Sequence, residues 1–272
     1  MIRNMHQKTL IFVGIIILAG IGLAAVAWHI RGGRIDPQNA IASKPSDGID
    51  IPILIYHSIA PHFISESPLV LHYTVTPDAF DGQLKYLRDN RYNVITLDML
   101  VGMIASGTTP PPKSVVITFD DGWEDQYRDA FPILKKYHDP ATFFIFTNGP
   151  DSDEIDFLTW DQIKEMSDAG MDIESHSVSH PYLFRITDKN VLWHEIADSK
   201  TIIENHIGKP VNLFAYPFGF YNALDITILK AAGYVAARTD LPGEYQNTTS
   251  NLFGLDGSQV TDNFGRFVRD IH

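Results

Sequence analysis

Beyond residue 50 the chain alternates between short apolar runs and stretches whose apolar residues recur at helical spacing. Runs at 51–56, 93–96, 114–119, 141–147, 171–174, 211–216 and 234–237 have the length and composition of strands buried on both faces. Helical segments lie between them. Thr76 followed by Pro77 marks a helix start, with Phe80, Leu84 and Leu87 along one face. Thr159 and Gln162 form a capping-box pattern for a helix that stops at Gly170. Leu192, Ile196, Ile203 and Ile207 stack along 188–207 before Gly208, and Asn222 opens a helix that ends at Gly233. Strands alternating with helices predict a parallel sheet covered on both faces. In roughly 220 residues that is a closed or slightly incomplete β/α barrel rather than two doubly wound halves, with its chemistry at the carboxyl ends of the strands.

The first 50 residues follow a different pattern. Residues 9–28 carry no charge and as a helix would reach about 30 Å, the thickness of a bilayer core. Two readings stand: an uncleaved anchor, or a secretory signal with a cleavage site at Ala25-Val26-Ala27. The run exceeds an ordinary signal core, which favours the anchor. Arg3 and Lys8 on one flank are matched by Arg31 and Arg34 on the other, so charge orients the segment only weakly. The expected organisation is a basic flank at 1–8, a membrane segment at 9–28, a linker at 29–50 and a globular domain at 51–272. That domain would sit outside the cytoplasm at the cell membrane, or be secreted if the segment is cleaved.

Composition narrows the chemistry. The chain of 272 residues holds 21 Lys and Arg against 33 Asp and Glu, a formal net charge of −12, and no cysteine. Residues 1–34 contain four basic residues and no acid, so the remainder carries −16. The acidic balance argues against a nucleic-acid partner. The missing cysteine excludes a disulfide framework, a thiolate zinc site, an iron–sulfur centre and a thiol nucleophile.

Three short blocks follow apolar runs directly. Thr118-Phe119-Asp120-Asp121-Gly122-Trp123 places two adjacent carboxylates where a strand leaves the sheet. Ser175-His176-Ser177-Val178-Ser179-His180 spaces two histidines so that a helical turn would put both imidazoles on one face. Alone, each is unremarkable: acidic pairs are common in solvated loops, and histidine pairs on helix faces. On one barrel rim they combine into one carboxylate and two imidazoles, a donor set suited to Zn²⁺ and its neighbours that leaves positions open for substrate. The other carboxylate is then free to act as a general base. The same donor set also suits iron and oxygen chemistry, but a non-ligating Asp beside the first fits hydrolysis better. The third block, Phe214-Ala215-Tyr216-Pro217-Phe218-Gly219, is either a strand-ending turn or a rigid turn presenting a backbone N–H to a developing oxyanion.

Together these blocks resemble the NodB-homology polysaccharide deacetylases, carbohydrate esterase family four, and the resemblance covers residues 51–272. It implies a distorted (β/α)₇ barrel and metal-dependent removal of N-acetyl groups from amino-sugar polymers. It further implies Asp121, His176 and His180 as ligands of a divalent metal, Zn²⁺ ahead of Co²⁺ or Ni²⁺, with Asp120 as base and the Phe218 N–H at the oxyanion. Trp123, Tyr216, Pro217 and Gly219 are the expected substrate contacts. Two positions depart from the family pattern. An arginine commonly found two residues before the turn proline is replaced by Ala215, and residues 251–272 lack the usual late Leu-x-His. Ile51-Pro52-Ile53-Leu54-Ile55-Tyr56-His57-Ser58 is similar to the opening strand of poly-β-1,6-N-acetylglucosamine deacetylases, whose general-acid histidine comes from that strand. His57 holds the matching position.

The expected partner is therefore an extracellular or cell-wall amino-sugar polysaccharide. The alternatives are a peptidoglycan or chitin-oligomer N-deacetylase, an acetyl-xylan esterase on the same barrel, or a catalytically dead carbohydrate-binding protein. His6, His29, His62, His72, His138, His194, His206 and His272 are expected on surfaces or helix faces, and Trp160 and Trp193 in the core.

Overall fold

A computed structural model describes residues 51–62, 67–152, 156–240 and 251–272. The expected membrane segment and the linker through residue 50 lie outside the described residues. Among the described residues no helix is long and apolar enough to cross a membrane.

In chain order the elements are β1 (Ile53–Tyr56), β2 (Ser58–Ile59), α1 (Pro68–Tyr73), β3 (Thr74–Val75), α2 (Pro77–Asp89), β4 (Asn93–Ile95), α3 (Leu97–Ser106), β5 (Ser114–Phe119), α4 (Phe131–Tyr137) and β6 (Thr142–Ile145). They continue with α5 (Trp160–Asp168), β7 (Asp172–Ser175), α6 (Lys189–Trp193), α7 (Ser199–Ile207), β8 (Leu213–Ala215), α8 (Ala223–Ala231), β9 (Ala236–Thr239), β10 (Leu255–Asp256), β11 (Ser258–Gln259) and α9 (Phe264–Asp270). All seven apolar runs contain strands. The large sheet is parallel throughout, in the order β10-β9-β8-β7-β6-β5-β1-β11, with β4 on β5. β10 and β11 are two halves of one extended segment joined at Gly257. Leu255 pairs with Arg238 of β9, and Ser258 with Leu54 of β1. That segment bridges the two sheet edges, so the strands form a nearly closed α/β barrel with seven positions around its ring. Sequence patterning missed it because each half is only two residues long.

Burial on both faces explains why the strands lack polar alternation. Leu54, Ile117, Phe119, Phe143 and Phe214 pack outward against the helices. Ile53, Val116, Phe144, Leu213, Ala215 and Leu255 fill the second apolar layer, at alternate positions along the same strands. Phe119, the residue before the paired carboxylates, stacks on Phe143 at 4.6 Å and on Tyr56 at 5.3 Å. Truncating such a ring costs about 3–5 kcal/mol, so the floor of the strand end is firm.

The helix caps follow the expected chemistry. The Thr76 hydroxyl accepts from Ala79 N. Thr159 and Gln162 cap each other reciprocally, and so do Asn222 and Asp225. The helix expected over 188–207 is observed as α6 and α7 joined by a π-turn, His194–Asp198. Trp160 is half-buried and stacks on His206 at 3.9 Å. Trp193 corrects the core expectation, being 42% exposed. His62, His72, His138, His194, His206 and His272 are exposed, as expected; His6 and His29 lie outside the described residues.

Candidate active site and metal centre

The site forms where β1, β5, β7, β8 and β9 end. After Phe119 the ladder runs one residue further, with Asp120 N donating to Tyr56 O at 2.9 Å. Asp121 and Gly122 then both adopt left-handed conformations, φ 73° and 74°. This turn sets the two carboxylates to different tasks. Asp121 Oδ1 lies 3.6 Å from His176 Nε2 and 3.3 Å from His180 Nε2, and the two Nε2 atoms are 3.1 Å apart. Three donor atoms thus converge on one point.

The imidazoles do not converge by a helical turn, which corrects the expected reason for their meeting. Residues 176–180 form a loop in which Ser177 and His180 have φ of 75° and 56°. His176 Nδ1 donates to the Ala215 carbonyl at 2.7 Å, which turns its Nε2 toward Asp121 and His180. Trp123 Nε1 donates to the second oxygen of Asp121 at 3.0 Å.

Electrostatics suit a cation. Burial alone would raise the Asp121 carboxyl, but the hydrogen bond from His176 and the charges of His180 and His57 hold it well below the ordinary value. Burial pulls His176 down; Asp121 and Asp120 outweigh it and leave it raised. His180 is lowered to about 4 by burial and by His176, so at neutral pH it offers a lone pair. A hard carboxylate oxygen and two imidazoles, one oriented by a backbone carbonyl, fit a divalent metal.

Asp120 is 3% exposed and is not one of the three convergent donors. Its Oδ1 accepts from Arg238 Nη2, and its Oδ2 lies 4.0 Å from His57 Nε2. Arg238 is the residue that sequence reasoning missed. It is 1% exposed, on β9, directly opposite Ala215 of β8 in the register. The guanidinium absent from position 215 arrives from the neighbouring strand. Its signal in the chain was partial: an arginine directly after the apolar run 234–237 calls for an acidic partner if buried, without saying which acid.

The turn 217–219 is tight, and Phe218 adopts φ 61°. Its ring stacks on Tyr182 at 4.0 Å and meets His180 edge-on at 4.5 Å. Gly219, φ 72°, is crossed so closely by Asp240 that a β-carbon would sit 1.6 Å from Asp240 Oδ1. Trp123, Tyr216, Pro217 and Gly219 are buried. Trp123 stacks on Phe157 and orients Asp121, while the Tyr216 hydroxyl donates to Phe253 O at 2.9 Å.

These parts define a barrel with a carboxylate, Asp120, at its strand ends beside three donors that could hold a metal ion. A family model described as polysaccharide deacetylase matches residues 107–237. A Bacillus subtilis (strain 168) protein named as a polysaccharide deacetylase, YxkH, is 36% identical over 193 residues, 71% of this chain; the match spans 65% of that relative's length. A poly-β-1,6-N-acetyl-D-glucosamine N-deacetylase from Staphylococcus aureus (strain MRSA252) is 27% identical over 225 residues, 75% of this chain and 76% of that one. The solved structure of the Streptococcus pyogenes deacetylase PplD in complex with acetate matches with a TM-score of 0.75 at 30% identity, covering 83% of this chain and 99% of that one. The chain belongs to the polysaccharide deacetylase family.

Proposed function

We propose that the chain hydrolyses N-acetyl groups of an N-acetylglucosamine polymer, the β-1,6-linked polymer by preference, releasing acetate. The carrying observation is Asp120, clamped by Arg238 on one oxygen and facing His57 on the other, beside the convergent donors of Asp121, His176 and His180. Those three side chains would hold the metal, Zn²⁺ ahead of Co²⁺ or Ni²⁺, which when bound supplies a Lewis acid for the acetamide carbonyl and the attacking water. Asp120 takes the proton of that water at Oδ2, the oxygen that Arg238 leaves available. The Phe218 N–H donates to the oxyanion, a contact that matters most in the transition state. His57 Nε2 returns a proton to the departing amine, which is otherwise a poor leaving group.

The placement of His57 directly after β1, and the S. aureus relative named for that polymer, support the β-1,6 preference. The domain would act outside the cytoplasm, tethered through residues 9–28. Acetate release from β-1,6-linked and β-1,4-linked N-acetylglucosamine oligomers and from peptidoglycan, with and without chelator, tests the proposal. Chelator-sensitive release that is fastest on the β-1,6 polymer is expected. Faster release from peptidoglycan would overturn the preference, and no release from any substrate the activity.

A further inference from the structure

We infer that Glu195 is a positioning residue that holds the two imidazoles of the cation centre in place through the loop between them; this rests on Asp121, His176 and His180 being metal ligands. Glu195 is 7% exposed and lies in the π-turn joining α6 to α7, remote in sequence from every motif. Its Oε2 accepts from Val178 N at 3.1 Å and from Ser179 N at 2.9 Å, and its Oε1 from the Ser179 hydroxyl at 2.6 Å. Its own carbonyl also accepts from Val178 N at 3.1 Å.

The donors of the loop are all accounted for. His176 N donates to Ile145 O at 2.9 Å, Ser177 N to Ser175 Oγ at 3.3 Å, and His180 N to Ser177 Oγ at 3.0 Å. The two amides between them go to Glu195. Left-handed conformations at non-glycine residues such as Ser177 and His180 cost about 1–3 kcal/mol each and persist only where the surroundings over-determine them. A carboxylate accepts from two amides and a hydroxyl without rearrangement, because it has only acceptors to offer. Without the carboxylate, Val178 N keeps only the Glu195 carbonyl, and Ser179 loses the acceptor of both its amide and its hydroxyl, so the loop relaxes.

The same π-turn grips the other end of the loop. The Ile196 carbonyl accepts from the Ser199 and Tyr234 hydroxyls, each at 2.9 Å, and Ser199 Oγ lies 2.7 Å from Ser175 Oγ, one residue before His176. A π-turn that presents both a carbonyl and a carboxylate to the ligand loop gives this irregularity a purpose.

The test is Co²⁺ titration of the full chain, read by ligand-field absorption, with Zn²⁺ competition and with His176→Ala as the ligand-deficient control. Glu195→Ala is expected to weaken Co²⁺ binding about 10–100-fold and to change the spectrum. Glu195→Gln, whose carbonyl oxygen can still take both amides, restores most of the affinity. Glu195→Asp, too short to reach them, behaves as the alanine variant does and carries the test should alanine fail to fold. Wild-type affinity and spectrum in a folded Ala or Asp variant would overturn the inference. A wild-type chain that binds Co²⁺ no better than His176→Ala would instead overturn the ligand assignment on which it rests.

Discussion

Asp120 is held from two directions, by the Arg238 guanidinium at Oδ1 and the His57 imidazole 4.0 Å from Oδ2, while the cation donors belong to other residues. Asp120→Asn therefore keeps its metal and loses about 10²–10⁴-fold in acetate release, whereas His176→Ala loses the metal; metal content beside turnover separates the two. Arg238→Met leaves the donors intact but strands a buried carboxylate, so acetate release falls at least about 10²-fold and stability by about 3–5 kcal/mol. Because Ala215 and Arg238 are register partners and share one sheet face, the exchange Ala215→Arg with Arg238→Ala should recover part of the lost turnover. Recovery no better than Arg238→Ala alone would disprove that equivalence. The motif residues of this site were legible in the chain because each follows an apolar run directly. Arg238 was not, because the partner of a buried charge is chosen by strand register.

β7 and β8 share a single paired position, Ser175 with Phe214. Glu174 reinforces the seam: its Oε2 accepts from Asn212 N at 2.8 Å and Leu213 N at 2.7 Å. Burial, aided by the charge of Asp172, pushes the Glu174 carboxyl well above its ordinary value, more than those two hydrogen bonds pull it down. A carboxyl raised in the folded state costs stability as pH climbs from the ordinary carboxyl range through the folded value, and the cost is absent at lower pH. Glu174→Gln keeps one oxygen for both amides and removes the charge. It should raise Tm by a few degrees at pH 8 and leave it unchanged near pH 4, measured by calorimetry at both. Capped helices were readable because Thr76, Thr159 and Asn222 act within one turn. The π-turn was not, because Glu195, Ser175, Ser199 and Tyr234, which use its irregular geometry, come together only in space.

At the scale of the molecule, the cation would be a cross-link between strand ends distant in sequence. With free metal at about 100 times its dissociation constant, binding contributes about 2.7 kcal/mol, so chelation should lower Tm by about 5–10 °C. An unchanged melt on chelation, with acetate release also unchanged, would rule out a bound metal in either role. The ring itself depends on residues 255–259, which pair with β9 on one side and β1 on the other; read as a sequence, that stretch offered no strand and no motif. By itself the chain determined the apolar runs buried on both faces, hence a parallel barrel, and the strand-end blocks carrying Asp120, Asp121, His176, His180 and His57. Only the tertiary structure decided which arginine serves Asp120, which acid braces the histidine loop, and that Trp123 and Tyr216 face inward. Periodicity and capping act over a few residues and are written locally, whereas a buried charge finds its partner across the sheet, where register and barrel closure set the distance.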